Sequence, residues 1–575
     1  MAALVTALDN LTPKQFGENG HIEYGWSNSI QERIVQFNFQ VSRTQYPGPL
    51  ESELDSMLDF LSQEVKNGTL PERQIALGYL SILYKMIGYT RDIIDGKGEC
   101  ALSYMMIYVW NSYYPSLSEF ALKCLVDLGD KNVHQYGSWK DIKYFCKYIK
   151  DRTTNYADHN LVRYSVQITN EQIRNDMSTT DNISLVAKWA PREKSSFGWL
   201  FDMLAVDYFQ NIMLTANTNE RKQRAFLKCK TDYRKILSSL NKKLDTVQIK
   251  QCDRNWSEID FNNATSITLT KQKKAFLNIK KDGTIRFSDD ADRAQCAEHF
   301  KTHIENAITG EVEMKGKRVS MGDFTKQAMD LHNNRGTQLE KDLLNSQWRD
   351  NSRKTGALGN MIAMVDVSGS MSGEPMEVAI ALGIRIAEKS AVGKRVMTFT
   401  STPSWVNLEP FDDFVSQVGV IQRAPWGMTT NFSAALDTIL DAIIENKMAP
   451  EDVQNMVLVI LSDMQMDVGD RCDKNALYET MKAKYAAAGI RVHGTAYRPP
   501  HILFWNLRST SGFPTLSNQP NASMMSGFSP TLLNLFCDQG IEALQSCTPW
   551  SFLNTALENE RYKIMNERLY QAINV

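Results

Sequence analysis

Asp366-Val-Ser-Gly-Ser370 sets a carboxylate and two hydroxyls at alternate positions directly after the apolar run Met361-Ile-Ala-Met-Val365. Two later loops carry the same donor types: Gly427-Met-Thr-Thr-Asn431 offers the hydroxyl of Thr430, and Ser462-Asp-Met464 offers Asp463. Oxygen donors of this kind select hard cations, Mg²⁺ or another divalent ion such as Mn²⁺. Two aspartates balance the ion's charge, and small hydroxyls leave room for water or for a carboxylate from another molecule. The plainer explanation is a Ser-rich loop, with Thr430 and Asp463 serving only as helix caps. Three successive loops with suitable donors favour the metal. Ser368 and Ser370 make poor nucleophiles, because no histidine lies near them in sequence and G-x-S-x-G is missing.

The elements that must position these donors alternate between strand and helix from residue 361 onward. Met361–Val365 and Met456–Leu461 are short apolar runs of the kind buried on both faces of a sheet. Arg395–Thr400 and His501–Leu507 read as further strands, and Met376–Lys389, Asn431–Asn446 and Ala476–Ala488 as helices. In the first of these helices Glu377, Arg385, Glu388 and Lys389 form a polar stripe. Ser529-Pro530 has the N-cap and N1 residues that open a final helix. This alternation implies a mostly parallel sheet covered on both faces, where ligands gather beyond the carboxyl ends of the strands.

Residues 26 to 245 read instead as stacked helices. Leu77, Leu80, Tyr84 and Ile87 lie on one stripe, and Ser138-Trp-Lys-Asp141 has capping-box spacing. Residues 246–345 are more polar, with turns at 281–284 and 289–292, and read as a connector or an elaboration of the helical part. The expected domains are an N-terminal extension (1–25), a helical domain (26–345), a linker (346–360) and an α/β domain (361–575).

The Asp366–Met371 loop, Thr430 and Asp463 together resemble the metal-ion-dependent adhesion site of von Willebrand factor A (vWA) domains, a Rossmann-like fold. Ser184–Pro191, Tyr233–Lys235, Ser462–Met464, Phe504–Arg508 and Ser526–Pro530 are similar, in order, to an uncharacterised family known from plants, fungi and large DNA viruses. That family joins an A-type domain to a helical N-terminal part. Thr90-Arg-Asp…Gly96-Lys-Gly-Glu99 and Tyr136–Asp141 are similar to the TROVE module of Ro-type proteins. Those close HEAT-like helical repeats into a ring and bind structured or misfolded non-coding RNA. By resemblance Asp366, Ser368, Ser370, Thr430 and Asp463 are the metal ligands, Asp463 through water. Met428-Thr429 stands where A domains often have a small residue, so Thr429 rivals Thr430.

The chain has 64 Lys and Arg against 66 Asp and Glu, a net charge of −2. Residues 221–281 hold 16 of the basic residues and five acidic ones, a local balance of +11 that leaves −13 elsewhere. Concentrated positive charge suits phosphate neutralisation. Arg221, Lys222, Arg224, Lys228, Lys230, Arg234 and Lys235 are the candidate RNA contacts, with Tyr233 and Trp256 available to stack on bases. A solvated helix face explains the same charges. Cys296, His299 and His303 align along a helix but lack an obvious fourth zinc ligand.

No apolar run approaches the roughly 18 residues of a membrane span. Nine scattered cysteines without C-x-x-C favour free thiols in a reducing compartment. A cytoplasmic protein is expected, with virions as a second location if the source is a large DNA virus. The leading expectation is a non-enzymatic binding protein, with an RNA-binding helical domain and a metal-dependent domain that accepts an acidic side chain from a protein partner. A protein-only scaffold or structural component of an assembly or virion, and a metal-dependent phosphohydrolase using Asp366 and Asp463, are the alternatives.

Overall fold

The computed structural model describes residues 12–44, 46–130, 132–179, 182–333, 336–427, 431–465, 477–537 and 541–573. A hairpin, β1 (Lys14–Phe16) with β2 (Ile22–Tyr24), precedes a run of helices that begins at Ile30–Gln40 and ends at Gln338–Ser352. The chain then forms β3 (Met361–Asp366), β4 (Arg395–Phe399), β5 (Ser404–Asn407), β6 (Val457–Ser462), β7 (His501–Asn506) and β8 (Ala522–Ser526). These six strands make one sheet in the order β5-β4-β3-β6-β7-β8. Only the edge strand β5 is antiparallel to its neighbour.

The central strands are long-range hydrophobic devices. Every residue of β3, β6 and β7 is buried, and each buried Val, Leu or Ile contributes ~1.5–3 kcal/mol. Helix Glu374–Lys389 covers β3 with Val378, Ile380, Leu382, Ile384 and Ile386, all essentially inaccessible. Its expected polar stripe is incomplete: Arg385 is fully buried. The guanidinium lies over the Trp348 ring at 4.2 Å and donates to Asn351 and Thr355. A long cationic side chain reads as solvent-facing by type, whereas ring stacking, the Asn351 and Thr355 acceptors and the Glu388 carboxylate 3.7 Å from Nε hold it inside.

The helical half follows its sequence signals. Leu77, Leu80, Tyr84 and Ile87 are buried. The box at Ser138 forms as expected, its backbone N–H donating to Asp141 at 2.8 Å. Asp141 also accepts two bonds from Arg91, both 2.8 Å, inside the protein. Residues 259–343 form a small core of their own around Phe261, Phe276, Phe300 and Ile304.

Two features cross the expected divisions. Helix Gln338–Ser352 runs through the first half of the expected linker. The last helices, Pro549–Leu557 and Lys563–Ala572, fold back onto the N-terminal helices. There Arg561 chelates Asp92 at 2.6 and 2.7 Å, Tyr136 donates to the Arg561 carbonyl at 2.6 Å, and Trp550 meets the Tyr79 ring. One buried apolar cluster consequently runs from Ile34 and Leu80 through Val365, Leu461 and Trp505 to Phe552 and Leu569. Lys97 is buried with its ammonium on the Asn38 and Val41 carbonyls (2.7 and 3.1 Å) and the Ser526 hydroxyl (2.8 Å). Among the described residues no helix is long and apolar enough to cross a membrane.

Candidate metal centre

Counted along the sheet, the chain leaves β3 toward β4 and β5 on one side and returns to β6, β7 and β8 on the other. The loops after β3 and β6 therefore part and leave a crevice between their carboxyl ends, the usual place for a ligand in such sheets. Asp366 ends β3 and Ser462 ends β6. Register brings them together: Val365 pairs with Leu461, and the Ser462 hydroxyl donates to Asp366 Oδ2 at 2.6 Å. Asp366 Oδ1 accepts the Ser368 N–H at 2.9 Å, which folds the loop back over the strand. The following one-turn helix, Gly369–Met371, holds the Ser368 and Ser370 hydroxyls 3.1 Å apart. Ser370 is exposed, whereas Asp366 and Ser368 are buried, so the donor set opens to solvent on one side.

Burial pushes the Asp366 carboxyl up to about 7, and the negative charge of Asp463 adds to the effect. Two carboxylates held close in a dry crevice repel each other, and a divalent cation relieves that repulsion. Asp366, Ser368 and Ser370 thus fit a hard cation by donor type and by electrostatics. Asp463 fits less directly. It is fully buried, but its Oδ2 accepts the Arg508 Nε–H at 2.9 Å and its Oδ1 accepts the Gln465 N–H at 3.1 Å. A guanidinium already neutralises it.

Thr430 and its rival Thr429 lie outside the described residues. Their flanks are fixed beside the site: Gly427 bridges Ser368, and the Asn431 N–H donates to the Thr400 carbonyl at 2.8 Å. The Asn431 side chain caps helix Phe432–Glu445 by accepting the Ala434 N–H at 3.0 Å.

Four contributors to the site had no role assigned from sequence: Ser462, Gln465, Arg508 and Glu18. Arg508 comes two residues after β7, on the same edge of the sheet, and its signals were that position and its place in the Phe504–Arg508 stretch. Its Nη2 donates to Glu18 at 2.8 Å. Glu18 sits at the tip of the β1–β2 hairpin, which the Tyr24–Phe513 bridge fastens to the sheet side. The Glu18 N–H and the Asn19 amide bond Gln465 at 2.6 and 3.0 Å. The N-terminal hairpin thereby covers the loop that carries Asp463.

The basic segment is only partly free. Helix Asn219–Leu244 exposes Arg221, Lys222, Arg224 and Lys228. Lys230 is largely covered and paired with Glu193 and Asp202 at 3.0 and 2.9 Å, Arg234 with Glu193 at 3.2 Å, and Lys235 with Asp232 at 3.4 Å. Tyr233 is fully buried, its hydroxyl on Asn170 at 2.9 Å, so its ring is no stacking platform. It falls on the inward stripe with Cys229 and Leu237, which the charge count concealed. Trp256 is faced by the Arg293 guanidinium at 3.6 Å. Among the described residues no cluster of three His, Cys, Asp or Glu side chains is arranged to hold a metal, and the zinc idea at Cys296, His299 and His303 gains nothing.

Comparison with known proteins gives two family matches that abut at the sheet. Residues 166–359 match a domain of unknown function, DUF2828, and residues 360–568 match another, DUF7788. The junction falls just before β3. The chain is also 28% identical over 549 residues to an uncharacterized protein of Acanthamoeba polyphaga mimivirus, covering 90% of this chain and 83% of the viral one. Relatives thus extend to a large DNA virus.

Proposed function

We propose that this chain is a binding protein whose A-type (vWA) α/β half carries a divalent cation, Mg²⁺ or Mn²⁺, and presents it to an acidic side chain of a protein partner. The observation that carries this reading is Asp366: a buried carboxylate at the β3–β6 crevice, ringed by the Ser368, Ser370 and Ser462 hydroxyls and raised by a second aspartate. The strand order and single antiparallel edge strand are consistent with that fold. In this proposal Asp366, Ser368 and Ser370 hold the ion with Thr430 or Thr429, and Asp463 acts through water or electrostatically, because Arg508 occupies one of its oxygens. The ion supplies a positive centre that favours a carboxylate, and the loops around it set which carboxylate fits.

The helical half is proposed to bind RNA through the exposed Arg221, Lys222, Arg224 and Lys228, with affinity that falls steeply as salt rises. Recovering bound proteins and RNA from extract in Mg²⁺ and in EDTA tests both parts. Asp366→Ala abolishes the EDTA-sensitive protein partner and leaves RNA in place. Reversing the four cations releases the RNA and leaves the protein partner. Retention of every partner by Asp366→Ala in both conditions contradicts the cation-bridged reading. Failure to retain RNA leaves a protein-only scaffold, and Mg²⁺-dependent phosphodiester cleavage lost in Asp366→Ala would make the site a hydrolase.

A further inference from the structure

We propose that a pocket at the seam between the helical and α/β halves binds a small oligophosphate, a compact ligand carrying several phosphate groups. The pocket has a cavity volume of about 170 Å³ and opens to solvent, smaller than the usual drug-sized site and so suited to a compact ligand. Four stretches of chain and Arg43 build it: the loop from Ile93 to Gly98, the turn from Lys317 to Met321, the segment from Asn351 to Thr355, and the segment from Phe528 to Thr531 after β8. It shares no lining residue with the candidate metal centre, so the proposal stands apart from the reading of that site.

The charged side chains that line it, Arg43, Lys97, Lys317, Arg318 and Lys354, are all cations. Three of them are already engaged. Lys97 is spent on the carbonyls of Asn38 and Val41 and on Ser526. Arg43 is held by Glu99 and Glu374, and Lys317 by Glu313 and Asp350. Those carboxylates stand behind the wall, outside the lining. Arg318 and Lys354 differ: among the described residues no carboxylate comes within ion-pair distance of either, and Arg318 donates to the Ile93 carbonyl.

Both are half-buried. Burial lowers the affinity of each for its proton, and for Lys354 the neighbouring Arg318 and Lys317 charges lower it further; the more distant Asp92 offsets part of this for Arg318, and Asp95 and Asp350 part of it for Lys354, without reversing either shift. Cations crowded in a partly dry concavity are costly unless an anion joins them. Arg318 presents a planar fork suited to phosphate oxygens, and Lys354 adds a point charge. Helix Met321–Asn333 also starts at this wall, adding the positive end of its dipole. The cations come from separate segments and converge on one hollow, which suits a compact polyanion better than a strand running past.

The test uses the full chain in EDTA, which separates this pocket from the cation site. Inorganic triphosphate, ATP and GTP are titrated by calorimetry, with thermal melting as a second readout. Wild type is expected to bind triphosphate saturably, and Arg318→Gln/Lys354→Gln to bind it about tenfold or more weakly, the usual effect of losing charged hydrogen bonds. Equal affinity for triphosphate and nucleotides identifies phosphate alone as the recognised feature; tighter nucleotide binding adds a base contact. Should the double variant fail to fold, Lys354→Gln alone, at a half-exposed side chain, carries the comparison. No binding of any of the three at millimolar concentration, or equal binding by wild type and a folded variant, overturns the proposal. So does binding confined to an RNA oligonucleotide.

Discussion

His501 and Lys97 are buried ionisable groups with opposite solutions. The His501 Nδ1–H donates to the Leu544 carbonyl at 3.0 Å, and Nε2 lies 3.0 Å from the Ser523 hydroxyl, an assignment fixed by the carbonyl's inability to donate. Burial pushes its pKa down to about 4. Between the ordinary value near 6.5 and about 4, the unfolded chain takes up a proton that the native protein refuses. Stability is therefore expected to fall as pH drops through that window, by at most about 3 kcal/mol, and to level off below it. Urea unfolding of wild type and His501→Gln between those pH values checks this, and an unchanged slope in the variant contradicts it. Burial also pushes Lys97 well below the usual lysine range, but two carbonyls and a hydroxyl accept from its amine, favouring the charged form and tying the helical half to β8. Lys97→Met is expected to cost about 2–3 kcal/mol, the scale of charged hydrogen bonds lost inside a protein, read as a lower urea midpoint. At this scale the sequence was legible where donors are neighbours. Asp366, Ser368 and Ser370 meet because one tight loop carries them. Arg385 and Tyr233 were misplaced because a long polar side chain declares its type, and only tertiary partners say whether it faces water.

Among the elements, β3, β4, β6 and β7 were readable as short apolar runs, because a strand buried on both faces needs no polar alternation. The strands β5 and β8 were not. Ser404–Asn407 is a four-residue edge, and Ala522–Ser526 has no β-branched residue, although all five of its residues are buried. The N-terminal hairpin also escaped notice, and it matters most for the site. Glu18, Arg508 and Asp463 form a chain of charge across segments almost the whole sequence apart, which spacing cannot reveal. In the proposed site Arg508 would compete with a divalent ion for the Asp463 carboxylate. Arg508→Ala is therefore expected to bind Mn²⁺ several-fold more tightly than wild type, since removing a cation from a dry site favours another. Weaker or equal Mn²⁺ affinity would show instead that Arg508 only buttresses the loop.

For the whole molecule, the two family matches meet at residue 359, yet the buried cluster crosses that junction and the C-terminal helices return to the N-terminal ones. Domain order was legible from the change in periodicity; the shared core was not, because it joins residues at opposite ends of the chain. Chains that share a core unfold together. A single calorimetric transition is expected for the full chain, and residues 360–568 made alone should not give a cooperative melt; two separate transitions would contradict a shared core. The central claim is that the β3–β6 crevice holds a hard divalent cation. Asp366→Asn keeps an oxygen that can accept the Ser368 N–H and removes one of two repelling carboxylates, so it should fold and melt at least as high as wild type in EDTA. Titrating Mn²⁺ into both proteins, with bound ion followed by electron paramagnetic resonance, tests the claim most directly. The account predicts saturable, Mg²⁺-competed binding by wild type and none at that site in Asp366→Asn. Equal binding by the two proteins, or no saturable binding by wild type, would contradict it.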